Sequence, residues 1–274
     1  MYKLIASDLD NTLLVDQRIR GKNKEILQKL QAKGVEIVLA SGRVRDSIKY
    51  IGQEAGLRVH VAASNGAYAA PYGKEAILKE TVPHDILKRC LEIGKKYDIY
   101  YHFYDDIGLV NDRLLPNYDY LMTEKVGGGK RFQCGIHYFP DPLEYLDKFN
   151  CYKFQWVVEE GDGRLNDIVS EIEAIEGVET TSSGPGLLEL MAKGVDKWKA
   201  VKAIADELGI KENEIICCGD YNNDIKMIQS AGLGIAPENA NVEVKQAADM
   251  VAGPCKEYGI GKLLEKLDSE GAFE

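Results

Sequence analysis

At 274 residues, with 45% hydrophobic and 28% charged side chains, the chain has a globular composition and the length for one large α/β domain or two smaller ones. Lys and Arg total 34 against 44 Asp and Glu, a formal charge of −10, which argues against sequence-independent binding to nucleic acid or an anionic membrane. No stretch approaches the ~18 apolar residues that span a bilayer, and the opening MYKLIASDLD lacks a signal-peptide layout, so a cytoplasmic protein is expected, with reduced thiols and no zinc or disulfide framework.

In chain order, residues 2–7 form a short apolar run ending at Asp8. Ile26, Leu27 and Leu30 mark one helical face, with Gly34 as its stop. Residues 35–40 read as a strand ending in Ser41-Gly42-Arg43, and Val44, Ile48 and Ile51 recur at helical spacing. A third strand near 59–63 runs into Asn65-Gly66. This alternation predicts βαβ units and a parallel sheet. The middle differs: 99–104 and 150–158 alternate in polarity, flanked by helices through Ile86, Leu87, Cys90 and Leu91 and through Leu165, Ile168, Val169 and Ile172. That pattern suits an antiparallel sheet with helices on one face. Gly127, Gly128 and Gly129 read as a flexible point. The βα rhythm resumes with a strand at 187–191, a helix lined by Trp198, Val201, Ala205 and Leu208, a buried strand at 215–218 and another at 233–236. The expected architecture is an α/β, Rossmann-like parallel sheet with helices on both faces, formed by 1–81 and 187–274 and interrupted by an inserted α+β domain at 82–186.

In an open parallel sheet, ligands bind beyond the carboxyl ends of the strands. Asp8-Leu9-Asp10-Asn11-Thr12 follows the first strand, Ser41-Gly42-Arg43 the second, and Gly219-Asp220 with Asn223-Asp224 the strand at 215–218. A lone Asp-x-Asp is ordinarily a solvated turn; acidic clusters at the ends of two buried strands instead favour a cation site. Their mutual repulsion calls for a cation, and oxygen-only donors suit Mg²⁺. An EF-hand is rejected: counted from Asp8 the sixth and twelfth positions are Leu13 and Ile19, and counted from Asp220 they are Ile225 and Ala231.

These residues resemble the haloacid dehalogenase superfamily. Asp8-Leu9-Asp10-Asn11-Thr12 is similar to its DxDxT signature, Ser41-Gly42-Arg43 to its second motif, Lys197 to its third, and Gly219-Asp220 with Asn223-Asp224 to its fourth. Motif order, the large insert, Asn65-Gly66-Ala67 and residues 231–236 resemble the Cof-type (subfamily IIB) branch of sugar-phosphatase-like hydrolases. Trp198 stands where members often carry Gly, and Pro237-Glu238 where Met-Gly is usual. The resemblance implies a Mg²⁺-dependent phosphatase of small phosphorylated metabolites (sugar phosphates, nucleotides or cofactor phosphates) with a mobile cap. In it, Asp8 is the nucleophile that becomes an aspartyl phosphate, and Asp10 is the general acid and base. The metal falls to Asp8, the Asp10 carbonyl and Asp220, with Asp224 behind them. The phosphate falls to the Leu9 and Gly42 amides, Ser41, Lys197 and Asn223. A phosphomutase of the phosphomannomutase type and a catalytically silent phosphate-binding regulator are the alternatives. Ser41 also reads as an N-cap for the helix at Val44, Arg43 as either a phosphate neighbour or an ion-pair partner, and residues 100–104 as specificity candidates at alternate positions. Neither substrate nor oligomeric state is assigned.

Overall fold

The computed structural model describes residues 1–113, 123–125, 131–133, 135–159, 161–184 and 186–274. Gly127, Gly128, Gly129, Cys134 and Pro185 lie outside the described residues. The chain begins with β1 (Leu4–Ser7), α1 (Gly21–Ala32), β2 (Glu36–Ala40), α2 (Arg45–Glu54), β3 (His60–Ala63), β4 (Tyr68–Ala70) and β5 (Leu78–Lys79). There follow α3 (His84–Tyr97), β6 (Tyr100–Asp105), β7 (Gly108–Asn111), β8 (Thr123–Lys125), β9 (Arg131–Gln133), β10 (Ile136–Tyr138), β11 (Lys153–Val157), α4 (Leu165–Glu173), β12 (Val178–Gly184) and β13 (Leu187–Ala192). The last part holds α5 (Lys197–Glu207), β14 (Ile215–Cys218), α6 (Ile225–Ser230), β15 (Leu233–Pro237), α7 (Val242–Ala247), β16 (Met250–Ala252) and α8 (Gly259–Ser269). Two units result, Met1–Leu78 with Asp196–Glu274, and Lys79–Val195. Among the described residues no helix is long and apolar enough to cross a membrane.

In the first unit the strand order is β16-β15-β14-β1-β2-β3-β4-β5. The strands from β16 to β3 run parallel, and β4 turns back antiparallel on β3. Leu4 and Ala6 of β1, Val38 and Ala40 of β2, and Ile215 and Cys217 of β14 form one apolar layer with Ala200, Val201 and Ile204 of α5. Ile5, Ile37, Leu39 and Ile216 point to the opposite face and are equally buried, so both faces are covered, as near-continuous apolar strands require. Trp198 and Leu208 pack against the same layer, the core role expected of Trp198. The register sets Ser7 beside Cys218 on one side and Leu39 on the other. The carboxyl ends of β14, β1, β2 and β3 therefore lie side by side.

The second unit is built on a sheet of order β10-β7-β6-β11-β13-β12, antiparallel except for the β10–β7 pair. The strand expected to reopen the first unit, β13, lies inside this sheet, between β11 and β12. The divisions thus fall at 78/79 and 195/196, not at 81/82 and 186/187. The reason is pairing: Leu188 and Leu190 pack into this unit's core while Glu189 faces the other way, and alternation alone names no sheet. Tyr101 and Phe103 belong to the same core, which removes them from the specificity candidates. Tyr100, His102 and Tyr104 take the other face, where Lys153 meets Glu189 at 2.8 Å with both side chains buried.

The centre of this second core is Trp156, fully buried, 4.5 Å from the Phe154 ring, with its indole N–H donating to the Cys90 carbonyl at 3.2 Å. Trp156→Ala should cost about 3–5 kcal/mol of stability through cavity formation, read as a lower denaturant midpoint of this unit.

Candidate active site

The loop after β1 starts with an extension of the sheet: the Asp8 N–H donates to the Cys218 carbonyl at 2.9 Å. The Leu9 carbonyl then accepts from the Leu13 and Leu14 N–H groups at 3.0 and 2.8 Å, closing a tight turn. Leu9 and Thr12 are fully buried and anchor that turn, while Asn11 takes a left-handed φ of 54°. Asn tolerates that conformation, and Asn239 holds it by donating to the Asn11 carbonyl at 2.8 Å. Asp8 is thereby delivered to the strand end, 6% exposed.

Lys197 reaches the same point from the first turn of α5. Its helix is started by Asp196, whose carboxylate accepts from the Lys199 N–H at 2.8 Å. The fully buried ammonium donates to Asp8 Oδ1 at 2.7 Å and to Asp224 Oδ1 at 2.6 Å. Burial alone would push the Lys197 pKa down, but Asp224 and Asp8 outweigh it and hold the pKa above its ordinary value. The lysine stays charged. Asp224 uses its second oxygen to accept from the Asp220 and Tyr221 N–H groups, at 3.0 and 3.1 Å. Gly219 permits this curl: a Cβ there would lie 2.3 Å from the Asp224 Cβ.

Asp220 is 7% exposed and accepts from the Thr12 hydroxyl at 2.9 Å. Burial, then the neighbouring Asp224, raises its pKa to about 6. Burial likewise raises Asp8 well above the carboxylate range, against the pull of Lys197. Oxygens of Asp8, Asp220 and Asp224 lie within 4.8 Å of one another. Three carboxylates against one ammonium leave a buried negative excess, and hard oxygen donors fit a small divalent cation. Both Asp224 oxygens are engaged. Among the described residues, no hydrogen bond takes the second oxygen of Asp8 or of Asp220. Those two carboxylates thus each keep an oxygen without a hydrogen-bond partner among the described residues, within a group that also includes Asp224.

The remaining expected residues line the adjacent strand ends. Ser41 is buried after β2, and its hydroxyl accepts from the Arg43 N–H at 3.3 Å. It does not cap α2, whose N-cap is Val44 without a side-chain bond: the chain bends at Gly42 and Arg43 and the helix starts only at Arg45, so Ser41 lies too far upstream. Gly42 follows it in the same loop. Asn223 donates to Asn65 Oδ1 at 3.1 Å, which ties the loop after β14 to the loop after β3. Gly66 lets that loop meet α5, since a Cβ there would lie 1.9 Å from the Asp196 carbonyl. Asp10 is not with the buried carboxylates but pairs with Arg43, at 2.6 Å between Nη2 and Oδ1 and 2.8 Å between Nε and Oδ2. Thr12 and Asn65 stand in motifs that the sequence singles out, but the partners of Thr12, Asn65 and Asn239, namely Asp220, Asn223 and the Asn11 carbonyl, are visible only in the structure.

Removing the ammonium has a defined sign. Lys197→Met leaves three buried carboxylates facing one another, so stability should fall at neutral pH by about 3–5 kcal/mol, the usual cost of breaking a buried pair. A carboxylate with a raised native pKa stabilises the fold when protonated and loses that contribution as pH rises through the native value. The deficit of the variant, measured by thermal unfolding without divalent cations, should therefore be larger at pH 8 than at pH 5; an equal deficit at both would contradict the electrostatic account.

The chain matches the haloacid dehalogenase-like hydrolase family over residues 5–264. It is similar to the 5-amino-6-(5-phospho-D-ribitylamino)uracil phosphatase YcsE of Bacillus subtilis (strain 168), 26% identical over 263 residues that cover 96% of this chain and 94% of that one. It is similar to the phosphoglycolate phosphatase of Methanopyrus kandleri, 26% identical over 273 residues, 98% of this chain and 99% of the relative. Among solved structures, a haloacid dehalogenase-like hydrolase from Bacteroides thetaiotaomicron is 28% identical, with a TM-score of 0.81 over 97% of this chain and 100% of that one. With its acidic motifs at adjoining strand ends and a family match over nearly its whole length, the chain belongs to the haloacid dehalogenase-like hydrolases.

Proposed function

We propose that the chain hydrolyses phosphate monoesters of small metabolites with Mg²⁺, by way of a phosphoryl group held transiently on Asp8. It is a phosphoric monoester hydrolase in which the observation that carries the chemistry is the Lys197 ammonium clasped between Asp8 and Asp224. That clasp orients Asp8, whose carboxylate would attack phosphorus through one oxygen and offer the other to the cation. An ammonium has three donors; two are used here, and the third serves a phosphoryl oxygen.

In the first displacement the Asp8–phosphorus bond forms as the ester bond breaks, and Asp10 protonates the departing oxygen. In the second, Asp10 takes a proton from water, the water oxygen bonds to phosphorus, and Asp8 leaves as a carboxylate. The Leu9 and Gly42 amides, the Ser41 hydroxyl and the remaining amide hydrogen of Asn223 complete the cradle for charge spread over the transferring oxygens. Asp8, Asp220 and the Asp10 carbonyl would hold Mg²⁺, which supplies positive charge to the phosphoryl oxygens. Two relatives named for different phosphate esters support the class of small phosphorylated metabolites and no single member of it.

A panel of phosphorylated metabolites assayed with Mg²⁺ tests this reading. Wild type should release phosphate from at least one, and Asp8→Asn, nearly isosteric, should fold yet lose more than about a hundredfold in rate, the scale of a lost covalent step. A variant within tenfold of wild type would overturn the nucleophile. Ca²⁺ should bind and inhibit, because looser coordination misaligns an in-line displacement; brisk turnover with Ca²⁺ alone would count against Mg²⁺ as the cation.

Metal binding also carries a pH signature. Asp220, with its pKa raised to about 6, must lose its proton to bind the cation, and so must Asp8. The Mg²⁺-induced rise in Tm should therefore grow as pH increases from 5 to 7.5; a rise independent of pH would place the cation elsewhere.

A further inference from the structure

We propose that Arg43 is the positioning residue of Asp10, an inference that rests on the reading of Asp10 as the acid–base group. Asp10 sits on the turn after β1 with a side chain 46% exposed, whereas the Arg43 side chain is 17% exposed. Left alone, such a carboxylate samples several rotamers in water. Here both oxygens are taken by one planar guanidinium, Nη2 on Oδ1 at 2.6 Å and Nε on Oδ2 at 2.8 Å. A fork of this kind fixes the plane of the carboxylate as well as its distance, which a single point charge does not do.

The arginine is itself held. Its N–H donates to the Ser41 hydroxyl at 3.3 Å, and its carbonyl accepts from the Ser64 N–H at 3.0 Å, which ties its backbone to the ends of β2 and β3. Nη2 also donates to Gln17 Oε1 at 3.0 Å, and Nη1 lies 3.5 Å from the Ser47 hydroxyl on α2. The acid–base group on one strand end is thus oriented from the neighbouring ends, beside the buried Ser41. Arg43 needs no contact with phosphate to matter. It confines Asp10 before the ester arrives, so less orientational freedom is lost in the transition state.

The choice of leaving group separates this role from others. Loss of the acid costs an alkyl phosphate, whose leaving oxygen needs a proton, much more than p-nitrophenyl phosphate, whose leaving oxygen does not. In kcat/KM, which covers departure of the leaving group, Arg43→Ala should lose about tenfold or more on glycerol phosphate or a sugar phosphate and at least about threefold less on p-nitrophenyl phosphate. Arg43→Lys should show the same selectivity with a smaller loss, and carries the test if the alanine variant does not fold. In an Asp10→Asn background, Arg43→Ala should change the alkyl ester rate by less than about twofold, because residues acting through one another are not additive. Equal losses on both esters, or a full loss that persists beside Asp10→Asn, would overturn the inference and make Arg43 a phosphate ligand or a structural support. If Asp10→Asn itself lost both esters equally, Asp10 would not be the acid, and the inference would fall with that reading.

Discussion

The arrangement depends on one buried ammonium shared by two carboxylates. Asp8, Asp220 and Asp224 lie in a region almost closed to water, where like charges cannot be left uncompensated. Lys197 offsets part of that charge and does so directionally, through bonds of 2.7 and 2.6 Å. The remaining excess stays on Asp8 and Asp220, which makes those two ready to receive a cation. The same contacts that stabilise the pocket fix the orientation of the Asp8 carboxylate.

Much of the surrounding structure serves to bring that ammonium home. The in-register pairing of β1 with β14 places Asp8 next to Gly219-Asp220. Asp196 starts α5 so that Lys197 stands in its first turn. Gly66 allows the loop after β3 to touch the backbone at Asp196, and a side chain there would move the helix start. Gly219 does the equivalent service for Asp224. Two glycines, two carboxylates and one N-cap thus converge on the position of a single nitrogen atom.

How much of this is legible in the sequence differs by residue. Asp8 and Asp220 stand out because each ends an apolar strand, and strand ends are where an open parallel sheet binds ligands. Lys197 is one of several lysines, with Lys193, Lys199 and Lys202 nearby, and only the order of motifs singles it out. The Arg43–Asp10 pair joins residues 33 positions apart, a separation at which no helical or strand periodicity speaks. Ser41 misleads because a serine shortly before an amphipathic helix resembles a cap, whereas the bend at Gly42 and Arg43 and the N-cap at Val44 set it apart from the helix. The strand β13 misleads for another reason: its alternation fits either sheet, and only its pairing with β11 and β12 decides.

The most direct measurement is rapid acid quench of wild type during turnover of a good ester with Mg²⁺, followed by mass spectrometry of the proteolysed chain. A phosphoryl adduct on the peptide carrying Asp8, appearing within the first turnover and absent from Asp8→Asn, is the predicted result. Steady turnover with no adduct there, or with the adduct on a histidine or serine peptide, would contradict the claim that the carboxylate held by Lys197 is the nucleophile.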